Sequence, residues 1–143
     1  MRAAFKLITA LVSAIALTGT AIAEEAAAPF LSVELNLAEQ QQGNCRLTFV
    51  AQNGMGADVT AVVFETVLFD RAGQVIDLTL FDFKDLPDGS PRVRQFDLAG
   101  VECTSVGRVL LNGVHACTGA NLTAESCANA LRWSSRTDIE VLG

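Results

Sequence analysis

The chain has no tyrosine, one histidine and one tryptophan among its 143 residues. A serine-histidine-acid hydrolase would therefore have to be built on His115, which stands between Val114 and Ala116. Ser105, Ser134 and Ser135 are the serines that would serve it, and none sits in a G-x-S-x-G elbow. A structural or exposed strand histidine is the plainer reading of His115. No two cysteines have the C-x-x-C spacing of a dithiol redox centre or the C-x(2–4)-C spacing of a tetrahedral zinc site. No arginine pair precedes the N-terminal apolar run and no cysteine directly follows it, which leaves neither twin-arginine export nor a lipid anchor.

Positive charge is also scarce, with 10 Lys and Arg against 16 Asp and Glu. Two of those cations, Arg2 and Lys6, belong to a start that reads as an export signal: a basic opening, an apolar run from Leu7 to Leu17, and Ala21-Ile22-Ala23 as an A-x-A cleavage site. That run is shorter than the roughly 20 residues a membrane span needs. Cleavage after Ala23 would leave 8 cations against 16 anions, a net charge of −8. Nucleic acid and anionic membrane are excluded as partners by this balance, since both require a basic surface. A small exported domain is expected, with residues 24–29 as a flexible tail and residues 30–143 as a single folded unit.

The stretch that organises this unit is Val59–Asp70, VTAVVFETVLFD, apolar at both odd and even positions. Its valines, threonines and phenylalanines favour a strand over a helix, in the middle of a sheet and covered on both faces. Asn53-Gly54 and Asp70-Arg71-Ala72-Gly73 bound it with turns. Around it lie alternating segments. Val33, Leu35 and Leu37 form one inward set, and Cys45, Leu47, Phe49 and Ala51 another, with the Cys45 sulfur toward the core. In Gln74–Phe81 the alternation turns Ile76, Leu78 and Leu80 inward and Asp77 and Thr79 outward. The following FDFKDLPDGSP is turn-rich, and RVRQFDL reads as an edge strand. Ser105–Cys117 is a strand in which Asn112-Gly113 marks either a hairpin turn or a bulge. Thr123 caps a short helix through Ala130, and Trp133, Ser135, Thr137, Ile139 and Val141 alternate along a final strand. About seven strands joined by short turns imply an all-β, two-sheet antiparallel immunoglobulin-like sandwich with one short C-terminal helix or disulfide loop.

Four cysteines, Cys45, Cys103, Cys117 and Cys127, are an even number in an exported chain and read as two disulfides. Of three possible pairings, Cys117 with Cys127 closes a short local loop and leaves Cys45 to reach Cys103. The loop-entropy estimate gives roughly 3 kcal/mol for the short bridge and about 4 for the long one. No cofactor or metal site is expected, but several residues invite a test. Asp82, Asp85 and Asp88 would suit calcium or a solvated turn. Glu65, the one charge within the central stretch, would need Arg46, Arg94 or Arg108 beside it, a partly exposed position, or a ligand. Arg132 and Arg136 would join Arg46 in a small cationic patch or simply form a solvated face. Trp133 would belong to the core or to a carbohydrate platform, and Asn121-Leu122-Thr123 matches a glycosylation sequon.

Phe49 to Asn53, Val59 to Val67, Phe69-Asp70-Arg71-Ala72-Gly73, Leu86-Pro87-Asp88-Gly89-Ser90 and Phe96 together resemble the small FxLYD-type immunoglobulin-like domains of bacterial exported proteins. The resemblance covers about 50 residues of the exported part, and the four cysteines fall outside its pattern. What it implies is a non-enzymatic accessory module of the cell envelope; with the export signal and the paired cysteines, the expected location is periplasmic or secreted and the expected partner another envelope protein. The alternative is a ligand-binding or inhibitor domain that presents the Cys117–Cys127 loop, with Leu122 at its tip.

Overall fold

A computed structural model describes residues 26–143. The expected export signal, residues 1–23, lies outside them, as do the first two residues of the expected tail. The described chain forms β1 (Phe30–Gln41), β2 (Asn44–Gly54), β3 (Val59–Asp70), β4 (Val75–Leu86), β5 (Arg92–Ala99), β6 (Val106–Gly119), α1 (Ala124–Ala130), β7 (Leu131–Ser135) and β8 (Glu140–Leu142). They pack as two four-stranded sheets, ordered β5-β2-β1-β7 and β4-β3-β6-β8. Adjacent β2 and β5 in one sheet and β3 and β6 in the other reproduce the strand neighbours of an immunoglobulin-like sandwich. The expected sandwich is present, with two corrections. There are eight strands among the described residues, and the sheets are mixed: β7 runs parallel to β1, and β8 parallel to β6.

The extra strand has a local cause. The final alternating segment breaks where the Thr137 amide donates to Ser135 Oγ (3.1 Å) and the Ile139 amide donates to Thr137 Oγ1 (3.0 Å). These side-chain turns replace ladder bonds, so the chain leaves the first sheet after Ser135 and enters the second at Glu140. Trp133 is left at the first sheet's edge, 41% exposed, rather than in the core.

Between the sheets lie Leu31, Val33 and Leu35 of β1, Leu47, Phe49 and Ala51 of β2, Val62, Phe64 and Leu68 of β3, and Val109 and Leu111 of β6, all buried. Phe49 packs edge-on against Phe81, Phe83 and Phe96, and Phe81 stacks on Phe96 at 4.1 Å between ring centres. Such aromatic contacts are worth about 0.5–1.5 kcal/mol each beyond the area they bury. Here the expectation for the fourth strand fails. Phe64 points inward and lies opposite Phe81, so Leu80 and Leu78 fall opposite Glu65 and Val67 on the outer face. Phe81, Phe83 and Leu86, in the stretch expected to be a turn, supply the core instead. The outer face of β3 is correspondingly less covered than expected: Val67 is buried, Ala61, Val63 and Phe69 are half-buried, and Glu65 is exposed.

Cys45 is bonded to Cys103, tying β2 to the crossover before β6, and Cys117 to Cys127, stapling α1 onto β6. Thr123 caps α1 and shares a capping box with Ser126. Asn53 is fully buried at the end of β2, where its Nδ2 donates to Ala57 and Leu86 carbonyls, both at 2.8 Å, and its Oδ1 accepts from the Met55 amide.

Asn53→Ala strands these three backbone groups and should lower unfolding free energy by about 2–3 kcal/mol in urea titration monitored by tryptophan fluorescence. Replacing Cys45 and Cys103 together with alanine should cost about 4 kcal/mol and replacing Cys117 and Cys127 about 3; the same titration, compared with reduced native protein, checks both.

Candidate functional site

β6 follows β3 with four interruptions of register, two of which flank Glu65. Glu65 lies opposite Gly113 while Thr66 lies opposite Leu111, and Val63 lies opposite Ala116 while Phe64 lies opposite Val114. Asn112 and His115 are the extra residues, so the Asn112-Gly113 signal is a bulge inside one strand, not a hairpin. The second bulge turns His115 outward beside Glu65, with Nδ1 3.7 Å from Oε1. Glu65 thus has a histidine neighbour, and the three arginines considered for it are engaged elsewhere: Arg46 with Asp97, Arg94 with Asp85 and Arg108 with Glu140. Its carboxylate is exposed, which removes the burial cost that called for a partner.

Glu65 and His115 border a shallow depression of about 400 Å³ completed by Leu78, Thr79 and Leu80. Leu78 is 70% exposed, Leu80 50% and Val75 55%. All lie on β4, an edge strand of its sheet. Around the same edge, between β4 and β5, runs a groove of about 390 Å³ lined by Asp77, Thr79, Phe81, Phe96 and Asp97 among others. Arg94 closes the far end of that edge by donating to the Phe83 carbonyl (2.6 Å) and the Asp85 carbonyl (2.8 Å). The near half, Val75 to Phe81, is not closed in this way. Exposed apolar side chains concentrated on a free strand edge are a surface feature that sequence reasoning missed, because the alternation had turned Leu78 and Leu80 toward the core.

The other candidates are dispersed. Asp82 pairs with Lys84, Asp85 with Arg94, and Asp88 accepts from the Gly56 amide. No group of three or more metal-ligating side chains is found among the described residues. Ser105 ends a short 3-10 turn before β6, with most of that strand between it and His115, while Ser134 and Ser135 belong to β7 in the other sheet. Arg46, Arg132 and Arg136 do not form a patch: Arg136 pairs with Glu34, and Arg132 lies over the Phe30 ring at 5.2 Å. Asn121 takes a left-handed backbone conformation (φ 59°) just before the helix cap. Leu122 is half-buried and packs against the core, so the tip of the Cys117–Cys127 loop folds inward. No known protein family, curated protein or solved structure matches the chain.

Ion pairs hold several carboxylates below their ordinary range. The Arg46 guanidinium, bonded to both oxygens of Asp97 at 2.7 and 2.9 Å, does so for Asp97. The Asn36 amide and Arg136 do so for Glu34, and Lys84 for Asp82. A depressed carboxylate stabilises the fold above its unfolded pKa and loses that contribution as pH falls through the folded value. The melting temperature should therefore drop on acidification below about pH 4, and more shallowly in Asp97→Asn than in the native protein; circular dichroism melts from pH 7 to pH 2 compare the two, and parallel curves would remove Asp97 from the acid response.

Proposed function

We propose that this protein is a non-catalytic binding or structural accessory module exported to the bacterial periplasm or beyond, which engages another envelope protein through the near half of the β4 edge. The carrying observation is the set of exposed apolar side chains on that edge, Val75, Leu78 and Leu80. A free strand edge offers unpaired backbone donors and acceptors, and apolar side chains beside it add burial to main-chain pairing; this is the chemistry of strand addition. The two disulfides mark the protein as non-cytoplasmic, and the described residues contain no helix long and apolar enough to cross a membrane. The FxLYD-type resemblance supports the same reading. The sequence's alternative, a presented Cys117–Cys127 loop, has less to support it, since α1 is stapled to β6 and Leu122 packs inward.

A photo-cross-linking amino acid in place of Leu78, Leu122 or Arg132 tests this in intact envelopes. A discrete adduct is expected from position 78 alone, and it should vanish when Leu80→Glu is added without loss of melting temperature. An adduct from position 122 instead would transfer the function to the loop, and equal labelling from all three would overturn the reading.

A further inference from the structure

The near half of the β4 edge has two chemically different sides. On the outer side stand Leu78 and Leu80, flanked by Glu65 and Val67 of β3, the latter buried. On the groove side stand Asp77 and Thr79, with Phe81, Phe96 and Asp97 lining the wall behind them. Any strand laid along β4 would alternate in the same way, one set of side chains beside the leucines and the next beside Asp77 and Thr79.

Charge decides the second set. Of the arginines and the lysine among the described residues, six pair with carboxylates, at Asp97, Asp138, Asp82, Asp85, Glu140 and Glu34. Asp77 has none of them, and Glu65 has only His115 at 3.7 Å. The edge therefore carries negative charge without a cation of its own, in a chain whose net charge is already −6. Asp77 also accepts the amide proton of Leu78 at 2.8 Å. That hydrogen bond takes up a backbone donor on the strand that an added segment would approach, and so guards the edge against indiscriminate pairing.

Resting on the β4 reading above, we infer that the segment received by this edge is an extended stretch alternating apolar and basic side chains, which joins the second sheet as a fifth strand. A basic side chain of the partner draws the Asp77 carboxylate into an ion pair and thereby releases the Leu78 amide to a partner carbonyl. Its apolar side chains lie beside Leu78 and Leu80. Recognition of the cation and opening of the edge are one event, which selects against neutral strands that lack a group to displace Asp77. A second copy of this chain is a poor occupant, because it would bring the same carboxylates and the same net negative charge to the contact.

The probes are three capped eight-residue peptides: one alternating arginine and valine, one alternating serine and valine, and one with the arginines and valines in two blocks. Fluorescence anisotropy measures affinity for the native protein, and hydrogen exchange reads protection at residues 75–81. The alternating basic peptide should bind at least tenfold more tightly than the other two and protect these amides. In Asp77→Ala, which opens the edge without the cation, the serine peptide should gain affinity until the two alternating peptides lie within threefold of one another. Equal binding by the block peptide, or protection spread outside β4, would reduce the effect to general electrostatics and overturn the inference. So would concentration-dependent dimerisation protecting the same amides, which assigns the edge to a second copy. If no peptide binds while the position-78 adduct persists in envelopes, this inference falls and the β4 reading stands; loss of that adduct removes both.

Discussion

The pairing of Phe64 with Phe81 governs more of this molecule than any other contact. Phe64 is fixed inward on the inner face of β3, a central strand of its sheet, and Phe83 meets it edge-on at 5.3 Å. Once Phe81 follows Phe64 into the core, strand geometry leaves no choice for its neighbours. Leu80 and Leu78 must face out, since a one-residue slip that turned them inward would expel the two phenylalanines, along with Thr79 and Asp77, which lie opposite Thr66 and Leu68 on the inner side of β3. Two buried aromatic rings outweigh two leucines in transferable surface and add ring-to-ring contacts with Phe49 and Phe96. The exposed leucines are thus a consequence of how the core is satisfied.

This trade explains where the sequence was legible and where it was not. β3 was readable to the residue, because turns bound it on both sides and its twelve residues hold no competing pattern for their ends. The helix cap at Thr123 and the edge position of β5 were equally plain, each resting on local chemistry. β4 was not, because it contains two overlapping period-two patterns: Ile76, Leu78 and Leu80 on even positions, Phe81 and Phe83 on odd ones. Local alternation favours the first, three residues against two. Only the partner strand, with its register shift near Lys84, decides for the second. Lys84 there has φ 61°, a left-handed conformation that no lysine signals in advance.

The Glu65 neighbourhood was hidden for a related reason. A carboxylate inside an apolar run suggests burial and hence an arginine, but burial is a property of the face. Outward-facing Glu65 needs no compensation, and its neighbour came from a bulge that shifts His115 by one position relative to simple alternation. Bulges leave little trace in a single sequence beyond a glycine or asparagine. Asn112-Gly113 supplied that trace for the first bulge, and nothing comparable precedes the second.

An apolar free edge is a hazard to any exported protein, since it offers pairing to every extended segment it meets. This fold limits the hazard by two devices of different reach. Arg94 spans from β5 to the carbonyls of Phe83 and Asp85, a closure from the other sheet that occupies two backbone acceptors of the edge. Asp77 guards the near half through a single side-chain hydrogen bond to the Leu78 amide, which is exposed and carries no competing ion pair. The first device joins the two sheets, and the second is the one that the inferred basic partner would displace. A strand protected only against aggregation would gain from the stronger closure along its whole length. The weaker one stands beside Leu78 and Leu80, the two most accessible leucines of the strand, and that coincidence favours the proposed binding edge over a merely unprotected one.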